Sequence, residues 1–150
     1  MNIQPDFKEL LALLEKHGVD YMIVGGYAVA FHGHPRFTKD MDIFFSASRA
    51  NVDNIIAALV EFGFPPTDLR PKAFLSEGNI ITFGVAPVRV DFLNQIDGVK
   101  YDHARPNRIR GQYGATEIYF IGKEDLLQNK RSTKRTRDKA DVEELTGPNH

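Results

Sequence analysis

Two aspartates are set into an apolar segment, Asp40-Met41-Asp42-Ile43-Phe44-Phe45, and a third stands inside another, Val88-Arg89-Val90-Asp91-Phe92-Leu93. Met41, Ile43 and Phe45 alternate with Asp40, Asp42 and Phe44 at the period of a β-strand. Residues i and i+2 share a face, so Asp40 and Asp42 are expected on one side, about 7 Å apart at Cα by the ~3.3 Å rise. Two negative charges so close are costly unless a cation lies between them. Hard carboxylate oxygens in that arrangement suit Mg²⁺, commonly held by one or two carboxylates plus substrate phosphates. An Asp-x-Asp at a strand start is also ordinary solvated turn chemistry, and the pair alone does not separate the two.

Asp91 adds a constraint. Val88, Val90 and Phe92 form one face of its strand and Arg89, Asp91 and Leu93 the other. A carboxylate within an apolar segment is expensive when unpaired. If this strand neighbours that of Asp42, three carboxylates converge on one patch. Such a cluster can hold two metal ions that stabilise the attacking and leaving oxygens of a phosphoryl or nucleotidyl transfer. The structural alternative is a buried ion pair of Asp91 with Arg36 or Arg89. Upstream, the short apolar run Tyr21–Val24 stops at Gly25-Gly26 before a small-residue helix over Tyr27–Phe31. Glycines between a strand and a helix let the backbone approach a ligand closely, and helix-start N–H groups suit phosphate.

Periodicity outlines the rest. Phe7, Leu10, Leu11 and Leu14 mark an amphipathic helix, with Asp6 and Glu9 as a capping box and Gly18 as its stop. Ser48 is expected to cap a helix over Asn51–Phe62, closed by Gly63 and Pro65-Pro66. Asn79–Gly84 and Val88–Leu93 read as strands joined at Ala86-Pro87, and Thr116–Ile121 as a last strand. Asn94–Gly114 carries turn formers, basic residues and little periodicity, which predicts an irregular functional segment. Lys123–Leu145 reads as charged helix, broken near Ser132-Thr133. We expect one domain over 1–150, with a core at about 19–121 and C-terminal helices at 123–146.

Several classes are excluded by composition. The 150 residues contain no cysteine, which removes disulfide scaffolds, thiolate metal sites and cysteine nucleophiles. With a formal charge of −1 the molecule as a whole is no polyanion binder, so any basic site is local. The start lacks the layout of a signal peptide, and no apolar stretch approaches the roughly 20 residues of a membrane helix. A soluble cytoplasmic protein without membrane partners is the expectation.

The ordered set strand–Gly25-Gly26–helix–Arg36-x-Thr38-x-Asp40-x-Asp42, followed by Val88-Arg89-Val90-Asp91-Phe92-Leu93, resembles nucleotidyltransferases of the DNA-polymerase-β superfamily. The branch it looks most like contains AbiEii-type toxins and minimal bacterial nucleotidyltransferases; lincosamide-type antibiotic nucleotidyltransferases share a similar layout. Glu124-Asp125-Leu126-Leu127, Lys130, Arg135, Asp138 and Asp141 resemble the downstream helical motif. The match runs from about Val19 to Leu145. It implies an α+β nucleotidyltransferase fold, a mixed β-sheet flanked by helices, with metal at one edge. It also implies that Asp40 and Asp42 bind two Mg²⁺ ions (Mn²⁺ as substitute) holding an NTP such as ATP. Asp91 would complete the second metal site and help activate the acceptor hydroxyl. Gly25, Gly26, Arg36, Thr38 and Lys130 would serve the nucleotide, supported by Arg135, Asp138 and Asp141. Many superfamily members carry Gly-Ser where this chain has Gly25-Gly26, and His32-Gly33-His34-Pro35 lengthens the approach to Asp40.

Lys130, Arg131, Lys134, Arg135, Arg137 and Lys139 concentrate positive charge, either as a solvated helix face or as a surface for triphosphate or RNA. Arg105, Arg108 and Arg110 would extend it, with Tyr101 and Tyr113 available to stack on a base. His32 and His34 lack a third ligand at zinc spacing, and His17 suits a helix C-terminus. The leading expectation is an Mg²⁺-dependent enzyme moving NMP from an NTP onto a hydroxyl of a tRNA, a protein or a small molecule, with release of pyrophosphate. The alternative is a non-catalytic nucleotide-binding subunit of a toxin–antitoxin pair, working beside an antitoxin or other helical partner protein. The 11 phenylalanines leave room for a homodimer interface.

Overall fold

The computed structural model describes residues 5–34, 40–85, 88–133, 141–143 and 145–146. Six strands form one mixed sheet: β1 (Tyr21–Val24), β2 (Asp40–Phe45), β3 (Ile80–Val85), β4 (Val88–Leu93), β5 (Ile109–Tyr113) and β6 (Thr116–Phe120), in the order β3-β4-β2-β1-β6-β5. The β1/β2, β3/β4 and β5/β6 pairs are antiparallel, whereas β2/β4 and β1/β6 are parallel. The α+β expectation therefore holds.

Strand alternation divides the apolar residues between two layers. Tyr21, Ile23, Met41, Ile43, Phe45, Val90 and Phe92 face a cluster with α1 (Pro5–Lys16), α3 (Arg49–Phe62) and α4 (Pro71–Leu75). Met22, Val24 and Phe44 face the opposite cluster, which includes α5 (Tyr101–Ala104), α6 (Lys123–Arg131) and Leu145. The period-2 pattern of β2 consequently sends Asp40 and Asp42 toward the second layer, beside α2 (Gly25–Phe31) and α6. Phe7, Leu10, Leu11 and Leu14 are all buried, as their spacing predicts. Asp6 lies within the first turn of α1 rather than capping it. Ser48 caps α3 by accepting the Asn51 N–H at 3.2 Å.

Several boundaries differ from the periodicity. The second helix starts at Gly25, two residues before Tyr27. The segment 94–114 is not plain loop: it contains α5, a 3₁₀ turn over Arg105–Asn107 and β5. Strand β5 escapes notice because it is an edge strand whose residues Ile109, Arg110 and Gln112 are exposed, so it has no continuous apolar face. Helix α6 ends at Arg131, one residue before the expected break, and the described residues 141–143 are helical. The Ala86-Pro87 turn lies outside the described residues. Among the described residues no helix is long and apolar enough to cross a membrane.

Candidate active site

The parallel β2/β4 pair sets Asp42 directly opposite Asp91 and Asp40 opposite Arg89. Opposed residues on neighbouring strands point to the same face, so the register brings two carboxylates together across one strand spacing, about 4.8 Å. Like charges so placed are destabilising and call for a compensating cation. The centre lies on two inner strands of the sheet, not at its edge.

Asp91 is 8% exposed, and both of its carboxylate oxygens accept hydrogen bonds. Its Oδ1 accepts from Thr82 Oγ1 at 2.7 Å and from Arg89 Nε at 3.2 Å, and its Oδ2 accepts from Arg89 Nη2 at 3.2 Å. Arg89 is thus the ion-pair partner, and its guanidinium is also in the field of the other two aspartates. The Asp91 bonds and charge, then Asp40 and Asp42, hold its pKa above the ordinary arginine value. Arg36 and Thr38 lie outside the described residues, as do Arg135 and Asp138.

Val24 stands opposite Asp42 on the antiparallel β1, so the turn into α2 is brought against the carboxylate. Gly25 has φ +67°, and a Cβ there would run into the Asp42 carboxylate. Glycine is needed twice over, for its backbone region and for the space. Beneath the centre the Tyr27 hydroxyl is kept protonated, first by burial, then by Tyr113 and the charge of Asp40.

From the layer that the carboxylates face, α6 delivers Lys130. Its side chain is 5% exposed, and its Nζ lies 3.4 Å from Oδ2 of Asp141, itself 2% exposed. Lys130 lines the same cleft as Gly25, Asp42 and Asp91, about 370 Å³ in volume. Ile80, Gln95, Ile96 and Asp97 continue its wall into a second cleft of about 820 Å³, which Glu77, Lys100 and Tyr101 also line. Asn94 and Gln95 in that wall had no sequence signal. Asn94 Nδ2 bonds the carbonyls of Phe74 and Ser76, its Oδ1 accepts the Gly78 N–H, and Gln95 bonds Glu77.

Among the described residues no group of three or more His, Asp or Glu forms a ready-made metal cage. The oxygen-only donor set of Asp42 and Asp91 nevertheless matches Mg²⁺, which keeps waters and takes phosphate oxygens beside one or two carboxylates. A cation already sits on Asp91 in the form of Arg89, so the carboxylates require positive charge, and the residues present fit a divalent ion.

Several expected nucleic-acid contacts are not available. Tyr113 is fully buried, and Tyr101 is nearly so, donating to Asp20 Oδ1 at 2.6 Å. Arg105 and Arg108 both pair with Asp20, at 2.8 and 3.2 Å, and Arg110 pairs with Glu15 at 2.8 Å. The Arg108 and Arg110 guanidiniums lie over the Tyr119 ring. These cations build a structural network instead. His32 Nε2 bonds the Ile121 carbonyl at 2.7 Å, which ties α2 to the end of β6, and His17 pairs with Glu61 beside Lys16.

The family model of aminoglycoside-2''-adenylyltransferases matches residues 6–113, more than half of the chain, including β1, β2 and β4 with Asp40, Asp42 and Asp91. The chain belongs to the aminoglycoside-2''-adenylyltransferase family. This family member is accordingly a nucleotidyltransferase, an enzyme that moves NMP from an NTP to a hydroxyl acceptor. Its fold is similar to that of the lincosamide antibiotic adenylyltransferase LnuA in its lincomycin-bound crystal structure. The TM-score is 0.56 at 20% identity, over 98% of this chain and 99% of that one. No curated protein matches the chain.

Proposed function

We propose that this nucleotidyltransferase uses a Mg²⁺–nucleotide centre built on Asp40, Asp42 and Asp91 to adenylylate a hydroxyl of a small, antibiotic-like acceptor. The observation that supports it most is the Asp42–Asp91 register in one cleft with Gly25 and Lys130. The acceptor class follows from the family and from the fold likeness to an enzyme with lincomycin bound.

A bound Mg²⁺, held by Asp40, Asp42 and Asp91, supplies charge neutralisation for the triphosphate and a fixed frame for the attacking and leaving oxygens. The acceptor hydroxyl oxygen bonds to the α-phosphorus as the bond from that phosphorus to the pyrophosphate oxygen breaks. Asp91 stands at the acceptor side and takes up the hydroxyl proton. Gly25 and Gly26 give the phosphates room against the backbone. Lys130, positioned by Asp141, offsets the charge that builds on the departing pyrophosphate. Arg36 and Thr38 belong to the nucleotide side, Arg135 and Asp138 to the support of the C-terminal helical segment. The residues 1–150 act as one catalytic unit, with the core at 19–121 and the segment 123–146 bringing Lys130 to it.

The acceptor occupies the 820 Å³ cleft, whose volume lies in the range of small-molecule sites. Glu77 and Asp97 give that cleft two carboxylates suited to amine or hydroxyl groups. With the arginines of 105–110 committed to Asp20 and Glu15, a small molecule is favoured over RNA. The test is a transfer assay with Mg²⁺, each α-labelled NTP, and panels of aminoglycosides, lincosamides and tRNA. Mass spectrometry should find one AMP added to a small acceptor. Label entering only tRNA or the protein itself would replace this acceptor class.

A further inference from the structure

We infer that Arg89 is a placeholder cation, which keeps the Asp91 carboxylate aimed into the cleft and makes divalent-ion binding depend on the arrival of nucleotide. The inference rests on the metal reading above and goes beyond it by assigning a role to a residue that reading does not use.

Five observations carry it. Both oxygens of the Asp91 carboxylate accept from Arg89, through Nε and Nη2, so the guanidinium occupies the bidentate edge of that carboxylate and an ion that takes both oxygens must displace it. The two partners differ in freedom: the Asp91 side chain is 11% exposed, whereas that of Arg89 is 43% exposed. The aspartate is therefore fixed and the arginine can leave into solvent. Both bonds are 3.2 Å, at the long end of the range for charge-assisted contacts, which are commonly ~2.7–2.9 Å. Thr82 Oγ1, at 2.7 Å from Oδ1, keeps the carboxylate oriented when the arginine departs. Finally, Arg89 is the cross-strand neighbour of Asp40, so its positive charge lies beside all three carboxylates rather than on one alone.

The consequence is an order of events. Without nucleotide, a divalent ion must compete with a tethered cation for Asp91. The triphosphate adds oxygen ligands and negative charge, which strengthen the ion's hold and offer the released guanidinium a new anionic neighbour. Arg89 is a positioning residue in this account, acting through Asp91.

The experiment measures Mn²⁺ affinity by calorimetry and by electron paramagnetic resonance, with and without a non-hydrolysable ATP analogue, in wild type, Arg89→Gln, Arg89→Lys and Asp42→Asn. We expect Arg89→Gln to bind Mn²⁺ alone about tenfold tighter or more, on the scale by which neighbours of a metal ligand tune affinity. The gain should shrink in the presence of the analogue, and Arg89→Lys, which keeps the charge, should stay near wild type. Metal-free Arg89→Gln should melt lower than wild type and regain its Tm with Mn²⁺. Equal Mn²⁺ affinities in wild type and Arg89→Gln, both abolished by Asp42→Asn, would overturn the placeholder role and leave the metal centre standing. Absence of Asp42-dependent Mn²⁺ binding in any variant, with the analogue present, would overturn both. Should Arg89→Gln not fold, the Arg89→Lys comparison decides: affinity near wild type supports the role, while a large gain with charge retained contradicts it.

Discussion

At Gly25 the backbone takes φ +67° and the Asp42 carboxylate fills the space a Cβ would need. Gly25→Ala should therefore cost ~1–2 kcal/mol of stability from the left-handed backbone, and more for the Asp42 carboxylate that its Cβ must push aside. It should lower turnover about 100-fold, because a misplacement of about 1 Å at a reacting centre has that effect; melting curves and initial rates check the two halves. Lys130 and Asp141 make a different case. Breaking a buried pair leaves an uncompensated charge, so Lys130→Met should destabilise by about 3–5 kcal/mol. Adding Asp141→Leu should restore most of that stability in urea unfolding without restoring nucleotide affinity. Recovery of both would reduce Lys130 to a structural role. The aspartates were legible in the sequence because each is a charge inside an apolar period, whereas Lys130, in a charged run, was legible only through the resemblance of the downstream helical motif. Arg89 was legible only as one of two partners for Asp91, since a strand pattern does not say which guanidinium the carboxylate takes up.

Among the elements, β1, β2, β4, α1 and α3 could be read from periodicity because each is buried along a continuous stripe. Strand β5 could not, being an exposed edge strand, nor could the parallel register of β2 and β4 (the feature on which the centre depends). Strands distant in sequence choose their neighbours by the packing of both sheet faces, and no local spacing records that choice. At the far end of these strands Asn51 fastens the frame. Its Oδ1 accepts the Asp20 N–H at 2.7 Å, and its Nδ2 donates to the Asp20 and Ser46 carbonyls at 2.9 and 2.8 Å. Asn51→Leu should leave the Asp20 N–H and the Ser46 carbonyl without this partner, while the Asp20 carbonyl keeps its bond from the Ser46 N–H, and cost about 2–3 kcal/mol. A lowered urea midpoint with unchanged turnover below the transition is the expected outcome; altered kinetics in the folded variant would show that the clamp also sets the centre.

Across the whole molecule, three tyrosines link the fold to pH. Burial, chiefly, raises the pKa of Tyr21, Tyr27 and Tyr101, reinforced by Glu15, Tyr113 and Asp20 respectively. Groups raised on folding give stability that is complete below the unfolded value, 10.0 for tyrosine, and lost as pH climbs above it. The Tm should therefore be insensitive to these groups below about pH 9 and fall steeply above about pH 10, with Tyr101→Phe weakening the dependence. The 11 phenylalanines serve the interior to a large extent, with Phe7, Phe44, Phe45, Phe74, Phe92 and Phe120 buried. That leaves the cleft, where Asp42 and Asp91 are the proposed metal–nucleotide centre of this nucleotidyltransferase. The most direct measurement is the thermal shift of wild type and Asp42→Asn with ATP, with and without Mg²⁺. Ligand at about 100 times its Kd adds roughly 2.7 kcal/mol, a shift of several degrees for a chain this size. The account predicts that shift in wild type only with Mg²⁺, and its loss in Asp42→Asn. An equal shift in both proteins, or one indifferent to Mg²⁺, would contradict it.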